Sequence, residues 1–437
     1  MGKLRAYGIS KNFINKDRRY GLLKTFVYNE KVIKLLDKMS KKAGKIMKKV
    51  LVGLLCCVLA VGVISGCGSK EKPKSDKSQN HTEEQKEQSN VIDTEPTEEE
   101  KELSKESEEE KDMKNDLTMQ VLKDQAGTMD YTSLEELNPE PGSRIAVVVK
   151  NTKSSFWASV KKGMEQAVKD LNQKMGYKGE DKIKMSFEGP SEETDVESQI
   201  NIIDAVLSEN PSVLCLAAID MESCEAQLEA AMENDISVIV LDSGVESSLV
   251  NAVCATDNYT LGSEAAEKLA EAVGGQGQIA VMTHISMSQT SRDREAGFTE
   301  TIANNYPEIE IVNISHENQE TSMTEMAEAV LKLYPDVKGY FGTNEHAANA
   351  VLDAVSVSGR EVMVLGIDAG KKQMDAVKKG LEMGTFVQNS YGMGYATIVA
   401  AIRADLKLEN DTFINCGYQW IDGNNIALPE YANYLYE

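Results

Sequence analysis

Between residues 144 and 388 short β-branched apolar runs recur, each followed by a polar turn and then a stretch whose apolar residues return every three or four positions. A strand buried on both faces of a parallel sheet loses the in-out alternation of a half-exposed strand, so uninterrupted runs bounded by helical stretches call for a helix-covered parallel sheet. The first unit sets the plan. Residues 145–149, IAVVV, read as the strand, 150–155 as a polar loop, and Phe156, Trp157, Val160, Met164, Ala167, Val168 and Leu171 as one helix face, capped by Ser154 or Ser155. Further strands are predicted at 182–187, 213–217, 238–241, 279–282, 309–314, 340–342, 363–366 and 385–387. A capping box at 194–197 opens the second helix, and others follow at 226–233, 261–273, 291–305, 323–334, 347–357 and 371–379. Two βαβ series in tandem predict an α/β protein with two parallel-sheet lobes. No G-x-G-x-x-G or P-loop interrupts them, so nucleotide binding has no support.

The chain before that unit is of another kind. Residues 1–46 form a basic extension without a domain pattern, which an early assigned start would explain, Met39 or Met47 being the alternatives. Residues 47–67, MKKVLVGLLCCVLAVGVISGC, have two lysines, an apolar run and then Ile64-Ser65-Gly66-Cys67, and resemble a bacterial lipoprotein signal with its lipobox. The expectation is cleavage before Cys67, lipidation of its thiol, and anchoring in the bilayer at the outer face of the cytoplasmic membrane. Residues 69–114 carry 16 acidic and 9 basic side chains with four apolar ones, too few to offset the entropy of ordering. Residues 68–142 are therefore expected to be an acidic, disordered linker, with short helices near 116–123 and 133–137.

Charge and composition limit the chemistry. The first 50 residues carry +12, which leaves −35 for the rest of a chain whose net charge is −23. So acidic a body is a poor nucleic-acid binder. The cysteines have no zinc or redox spacing; Cys215 and Cys254 lie in apolar runs and read as small core residues. His81, His284, His316 and His346 form no pair at ligand spacing. Neither a metal nor a cofactor is expected.

Candidate binding groups stand just past strand ends, where open α/β sheets take their ligands. VIVLDSG places Asp242 there, YFGTNEH Asn344, VLGIDAG Asp368 and TFVQNS Gln388, while Arg292 and Arg294 open a helix. These phrases, with FW after the first strand, ATDN and SRDREAGF, occur in an order and spacing that resemble the type 1 periplasmic sugar-binding proteins of the ribose-binding kind, which share their fold with LacI-type effector domains. The resemblance covers residues 143 to about 425. It implies two Rossmann-like lobes around a ligand cleft, joined by a three-crossing hinge near Thr256, Gln388 and Ile421. Lobe 1 is then about 143–256 and 389–421, and lobe 2 about 257–388 and 422–437. It also implies ligand contacts from Ser154, Phe156, Trp157, Asp242, Ser243, Arg294, Asn344, Asp368 and Gln388, with the aromatic pair sandwiching a sugar ring. Two positions depart from the family: Ser243 stands where many members have arginine, and Asn318 where some have an aromatic, which points to a ligand larger than a pentose or to an uncommon one.

Carboxylates, amides and an arginine fork can pair every hydroxyl of a polyol, and aromatic faces cover its C–H patches. The expected function is capture of a sugar or similar solute for an ABC importer, through its permease, or alternatively presentation of the ligand to a membrane receptor kinase. An enzyme is not expected, because no nucleophile elbow or matched acid–base pair stands out. A repressor would need a helix-turn-helix and no export signal.

Overall fold

The computed structural model describes residues 117–436. The basic extension, the signal with Cys67 and the linker up to residue 116 lie outside the described residues.

The first sheet holds β1 (Arg144–Val148), β2 (Lys184–Glu188), β3 (Val213–Leu216), β4 (Ser237–Leu241), β5 (Ala252–Ala255) and β11 (Phe413–Asn415), in the order β11-β5-β4-β3-β1-β2. The second holds β6 (Gly277–Thr283), β7 (Ile309–His316), β8 (Val337–Gly342), β9 (Met363–Ile367), β10 (Gly384–Gln388) and β12 (Tyr418–Asp422), in the order β12-β10-β9-β8-β6-β7. Adding five to each of the first five strand numbers, with β12 in place of β11 at the edge, turns one order into the other. All pairings are parallel except β10 with β12. The apolar runs behave as their composition demands: the side chains of β3 and β4 are all buried.

The helices repeat the same symmetry. Helix α1 (Ser155–Met175) follows the first strand of lobe 1, and α5 (Gln289–Asn305) the first strand of lobe 2. Helix α4 (Asn258–Ala272) enters lobe 2 from one crossing, and α9 (Ser390–Asp405) enters lobe 1 from another. Each entering helix packs on the first helix of its lobe through glycines. A Cβ on Gly163 would stand 2.0 Å from Tyr391 O and one on Gly394 2.0 Å from Val160 O; Gly297 and Gly262 meet Tyr259 O and Arg294 O at 2.0 and 2.3 Å. Only glycine permits backbones this close. The remaining helices are α2 (Val196–Ser208), α3 (Glu225–Glu233), α6 (Met323–Leu333), α7 (Glu345–Ser358) and α8 (Lys371–Lys378). The cap of α2 is Asp195, whose carboxylate accepts from Ser198 N at 3.0 Å, rather than Thr194 as the capping-box reading had it.

Two boundaries differ from expectation. The third crossing is at Cys416–Gly417, between β11 and β12, because residues 418–422 pair with β10 in the second sheet; Ile421 is a strand residue of lobe 2. The expected linker also ends too late. Residues 117–142 are part of the folded unit: 117–125 are helical, and Leu122, Tyr131 and Leu137 are buried in the lobe 1 core. Tyr131 Oη accepts from Asp411 N at 2.7 Å, Lys174 Nζ donates to Glu135 O and Leu137 O at 2.9 and 2.8 Å, and Asn389 Nδ2 at the second crossing donates to Thr118 O at 2.8 Å. Apolar side chains too sparse to build a core of their own are enough to cover one that already exists.

Candidate functional site

The carboxyl ends of both sheets face a cavity of about 350 Å³ between the lobes. Its geometry follows from one repeated backbone device. After β4 and after β9 the chain turns through an aspartate in the left-handed region, Asp242 at φ 55° and Asp368 at φ 81°. Non-glycine residues adopt this conformation uncommonly, aspartate more readily than most. Each is fixed by its own N–H, Asp242 N to Cys254 O at 2.9 Å and Asp368 N to Phe386 O at 2.8 Å. Two buried carboxylates thus enter one cavity from opposite lobes.

Their partners differ. Asp242 pairs with Lys150 Nζ at 3.3 Å, both side chains being almost fully enclosed. Asp368 accepts from Gln388 Nε2 at 2.8 Å, from Glu345 N at 3.1 Å and from Tyr436 Oη at 3.4 Å. Burial pushes the Asp368 carboxyl above the usual carboxylate range, against the opposing pull of the Arg294 charge and the Gln388 hydrogen bond. Gln388 Oε1 accepts from Thr256 Oγ1 at 3.0 Å, so two of the three crossings are tied at the cavity floor. Arg294 donates through Nε to Asn258 Oδ1 and through Nη1 to Thr343 O, both at 2.7 Å, which locks the fork against the wall it lines. His284, bonded to Thr343 Oγ1 and Thr290 Oγ1, is held well below its usual pKa by burial and serves as a neutral hydrogen-bonding ring.

Of the expected residues, Ser154, Phe156, Trp157, Asp242, Arg294, Asn344, Asp368 and Gln388 all line this cavity. Ser154 and Asn344 also cap helices, accepting from Trp157 N at 3.3 Å and Ala347 N at 2.9 Å. The others need correction. Ser243 is fully buried away from the wall and hydrogen-bonds Ser288 Oγ across the lobes at 3.0 Å. Asn318 is a turn residue whose Oδ1 accepts from Glu320 N and Thr321 N; the side chain that reaches the cavity from the end of β7 is Glu317. Arg292 points outward to Ser286 O and Glu246. Phe156 and Trp157 stand 4.9 Å apart at 80° to each other, so the pair offers no two parallel faces to sandwich a ring; Trp157 is 1% exposed and donates Nε1 to Glu193 Oε1 at 3.2 Å.

Lys150, Asn151, Glu193, Glu317, Glu345 and His346 were not foreseen. Each lies in the turn after a strand or at a helix start, so the strand-end rule that found Asp242 and Asp368, applied also to β1, β2 and β7, would have reached most of them. Direct bonds join the lobes around the cavity: Ser155 Oγ donates to Glu345 Oε2 at 2.8 Å, Gln319 Nε2 to Thr194 O at 3.2 Å and Met221 N to Met287 O at 3.1 Å.

Two topologically equivalent lobes, three crossings and a polar cavity walled by both define a bilobal solute-binding protein. The chain belongs to the periplasmic binding protein domain family, whose model matches residues 145–407. Among its relatives, the ribose import binding protein RbsB of Bacillus subtilis (strain 168) is 25% identical over 278 residues, 61% of this chain and 86% of the relative. The xylitol-binding protein of Mycolicibacterium smegmatis is 22% identical over 249 residues, 56% of this chain and 67% of the relative. Among solved structures, an ABC transporter solute binding protein from Agrobacterium vitis with bound D-fucose matches at TM-score 0.60 and 28% identity, over 67% of this chain and all of the other. A carbohydrate transporter solute binding protein from Agrobacterium radiobacter in complex with D-arabinose matches at 0.61 and 25%, over 66% and 97%.

Proposed function

We propose that this chain is an extracytoplasmic binding protein that captures a sugar or similar polyhydroxylated solute by closure of its lobes and delivers it to an ABC importer. The observation that carries this reading is the pair of left-handed aspartates, Asp242 and Asp368, set at equivalent strand ends of opposite lobes and entering the same cavity as Arg294 and Phe156. A ligand that touches both is bound better by the closed form than by the open one, and that difference drives closure. The carboxylates accept hydroxyl protons, the guanidinium donates, Gln388 and Asn344 do both, and Phe156 covers a C–H face. At about 350 Å³ the cavity is at the small end of ligand sites, sized for one monosaccharide or slightly more. The ligands of the ribose, xylitol, D-fucose and D-arabinose proteins support the same chemical class.

Membrane attachment through Cys67 completes the proposal. The two acyl chains of a diacylglyceryl thioether suffice for stable anchoring.

A thermal-shift screen across pentoses, hexoses and polyols tests the binding reading; stabilisation by none of them counts against it. Cys67→Ser should abolish labelling by radioactive fatty acid, and a variant that stays labelled contradicts the anchor.

A further inference from the structure

Six acids line the cavity against Lys150, Lys153, Arg294 and two histidines, more negative charge than a neutral sugar requires. Lys150 is committed to Asp242 at 3.3 Å, His346 Nδ1 to Glu317 Oε1 at 2.9 Å, and Lys153 to Glu192 at 3.4 Å on the exposed rim. Glu193 and Glu345, from opposite lobes, make no ion pair among the described residues. Glu193 Oε1 accepts from Asn151 Nδ2 at 2.7 Å and Trp157 Nε1 at 3.2 Å, and Glu345 Oε2 from Ser155 Oγ at 2.8 Å, all neutral donors. Beside them Glu317, its side chain 11% exposed, has an enclosed Oε2 without a hydrogen-bond partner.

We propose that the ligand carries an ammonium group on its polyhydroxylated skeleton, seated between Glu193 of one lobe and Glu345 of the other. This rests on the reading of the cavity as a sugar site and narrows its substrate class to amino sugars and amino polyols. A hydroxyl gives one proton to one acceptor and leaves the charges uncancelled. An ammonium has three donors and neutralises charge as well. Burial holds both carboxyls above their usual range, against the pull of Lys150 and the Trp157 hydrogen bond on Glu193 and of the Ser155 hydrogen bond and His346 on Glu345; across the lobes Glu193 is raised further by Glu317, and Glu345 by Glu193. Bringing the lobes together therefore concentrates like charge, and a cation that relieves this repulsion favours the closed form specifically.

Calorimetry on matched pairs tests the proposal: D-glucosamine with D-glucose, D-galactosamine with D-galactose, D-mannosamine with D-mannose, and 1-amino-1-deoxy-D-sorbitol with D-sorbitol. At least one amine is expected to bind tenfold or more tighter than its hydroxyl parent, with that preference falling toward unity in both Glu193→Gln and Glu345→Gln. Equal or tighter binding of the parent in every pair that binds overturns the ammonium site, as does a preference that survives both substitutions. In that event parent sugars whose affinity depends on Asp242 leave the sugar reading standing; a panel in which neither member of any pair binds overturns the ammonium site, and with no hit in the pentose, hexose and polyol screen it overturns the sugar reading also.

Discussion

The ion pair between Lys150 and Asp242 makes a quantitative prediction about how the binding wall is held. The two groups are 3.3 Å apart with side chains 6% and 5% exposed. At an effective dielectric constant of about 20, that separation corresponds to an attraction of about 5 kcal/mol. Removing one member of a buried pair costs about 3–5 kcal/mol, because the other charge is left uncompensated. Water reaching the open cavity will trim the effect, so Lys150→Met, which keeps the apolar stem, is expected to destabilise the protein by about 2–4 kcal/mol. The diagnostic quantity is the coupling. Asp242→Asn removes the charge that Lys150→Met strands, so the double variant should be more stable than the sum of the singles predicts by about 2 kcal/mol or more. Urea unfolding of the four proteins at pH 7.5 measures it. Additivity within about 0.5 kcal/mol would refute the claim that this pair fixes the wall.

Glu382 is buried beside Gln373, and burial pushes its carboxyl up to about 8. A folded-state pKa above the unfolded one means stability fully present below the unfolded value and lost as pH rises toward the folded one. Glu382→Gln should therefore gain melting temperature relative to the parent between about pH 4.5 and 8, levelling off above; a constant difference in scanning calorimetry across that range would contradict the assignment. Gly163→Val places side-chain atoms against Tyr391 O, 2.0 Å from the Cβ position, and should cost at least about 1–3 kcal/mol by urea unfolding, while an unchanged midpoint would show that α1 and α9 do not meet there. Limited proteolysis should trim the chain to near residue 117 and spare Leu122 and Tyr131; a stable core beginning near 143 would mean that residues 117–142 do not cover lobe 1.

The fold was legible because its signal is local and repeated: each β-branched run with its helix states its place without reference to the rest of the chain. The site aspartates were legible for the same reason, since Asp242 and Asp368 sit at strand ends that the runs themselves mark. What escaped depends on contacts distant in sequence. Residues 117–142 were grouped with the acidic stretch before them although they hold more apolar side chains, because these are too few for a core of their own and only the lobe 1 surface that Leu122 and Tyr131 cover packs them. The third crossing was misplaced because residues 418–422 have a strand's composition in either sheet, and only antiparallel pairing with β10 decides between them. Ser243 points away from the cavity, and Glu317 rather than Asn318 reaches it, because a turn residue's direction is set by backbone geometry: the left-handed Asp242 aims itself into the cavity and turns Ser243 toward Ser288.

The central claim, that one ligand is held by both lobes at once, is tested most directly by calorimetry of a ligand found in the screen on Asp242→Ala in lobe 1 and Arg294→Ala in lobe 2. A hydrogen bond to a charged group contributes about 1.5–3 kcal/mol, so each variant is predicted to bind about tenfold to somewhat over a hundredfold more weakly. Circular dichroism should show the fold intact in both. Unchanged affinity in both variants would contradict an interlobe site.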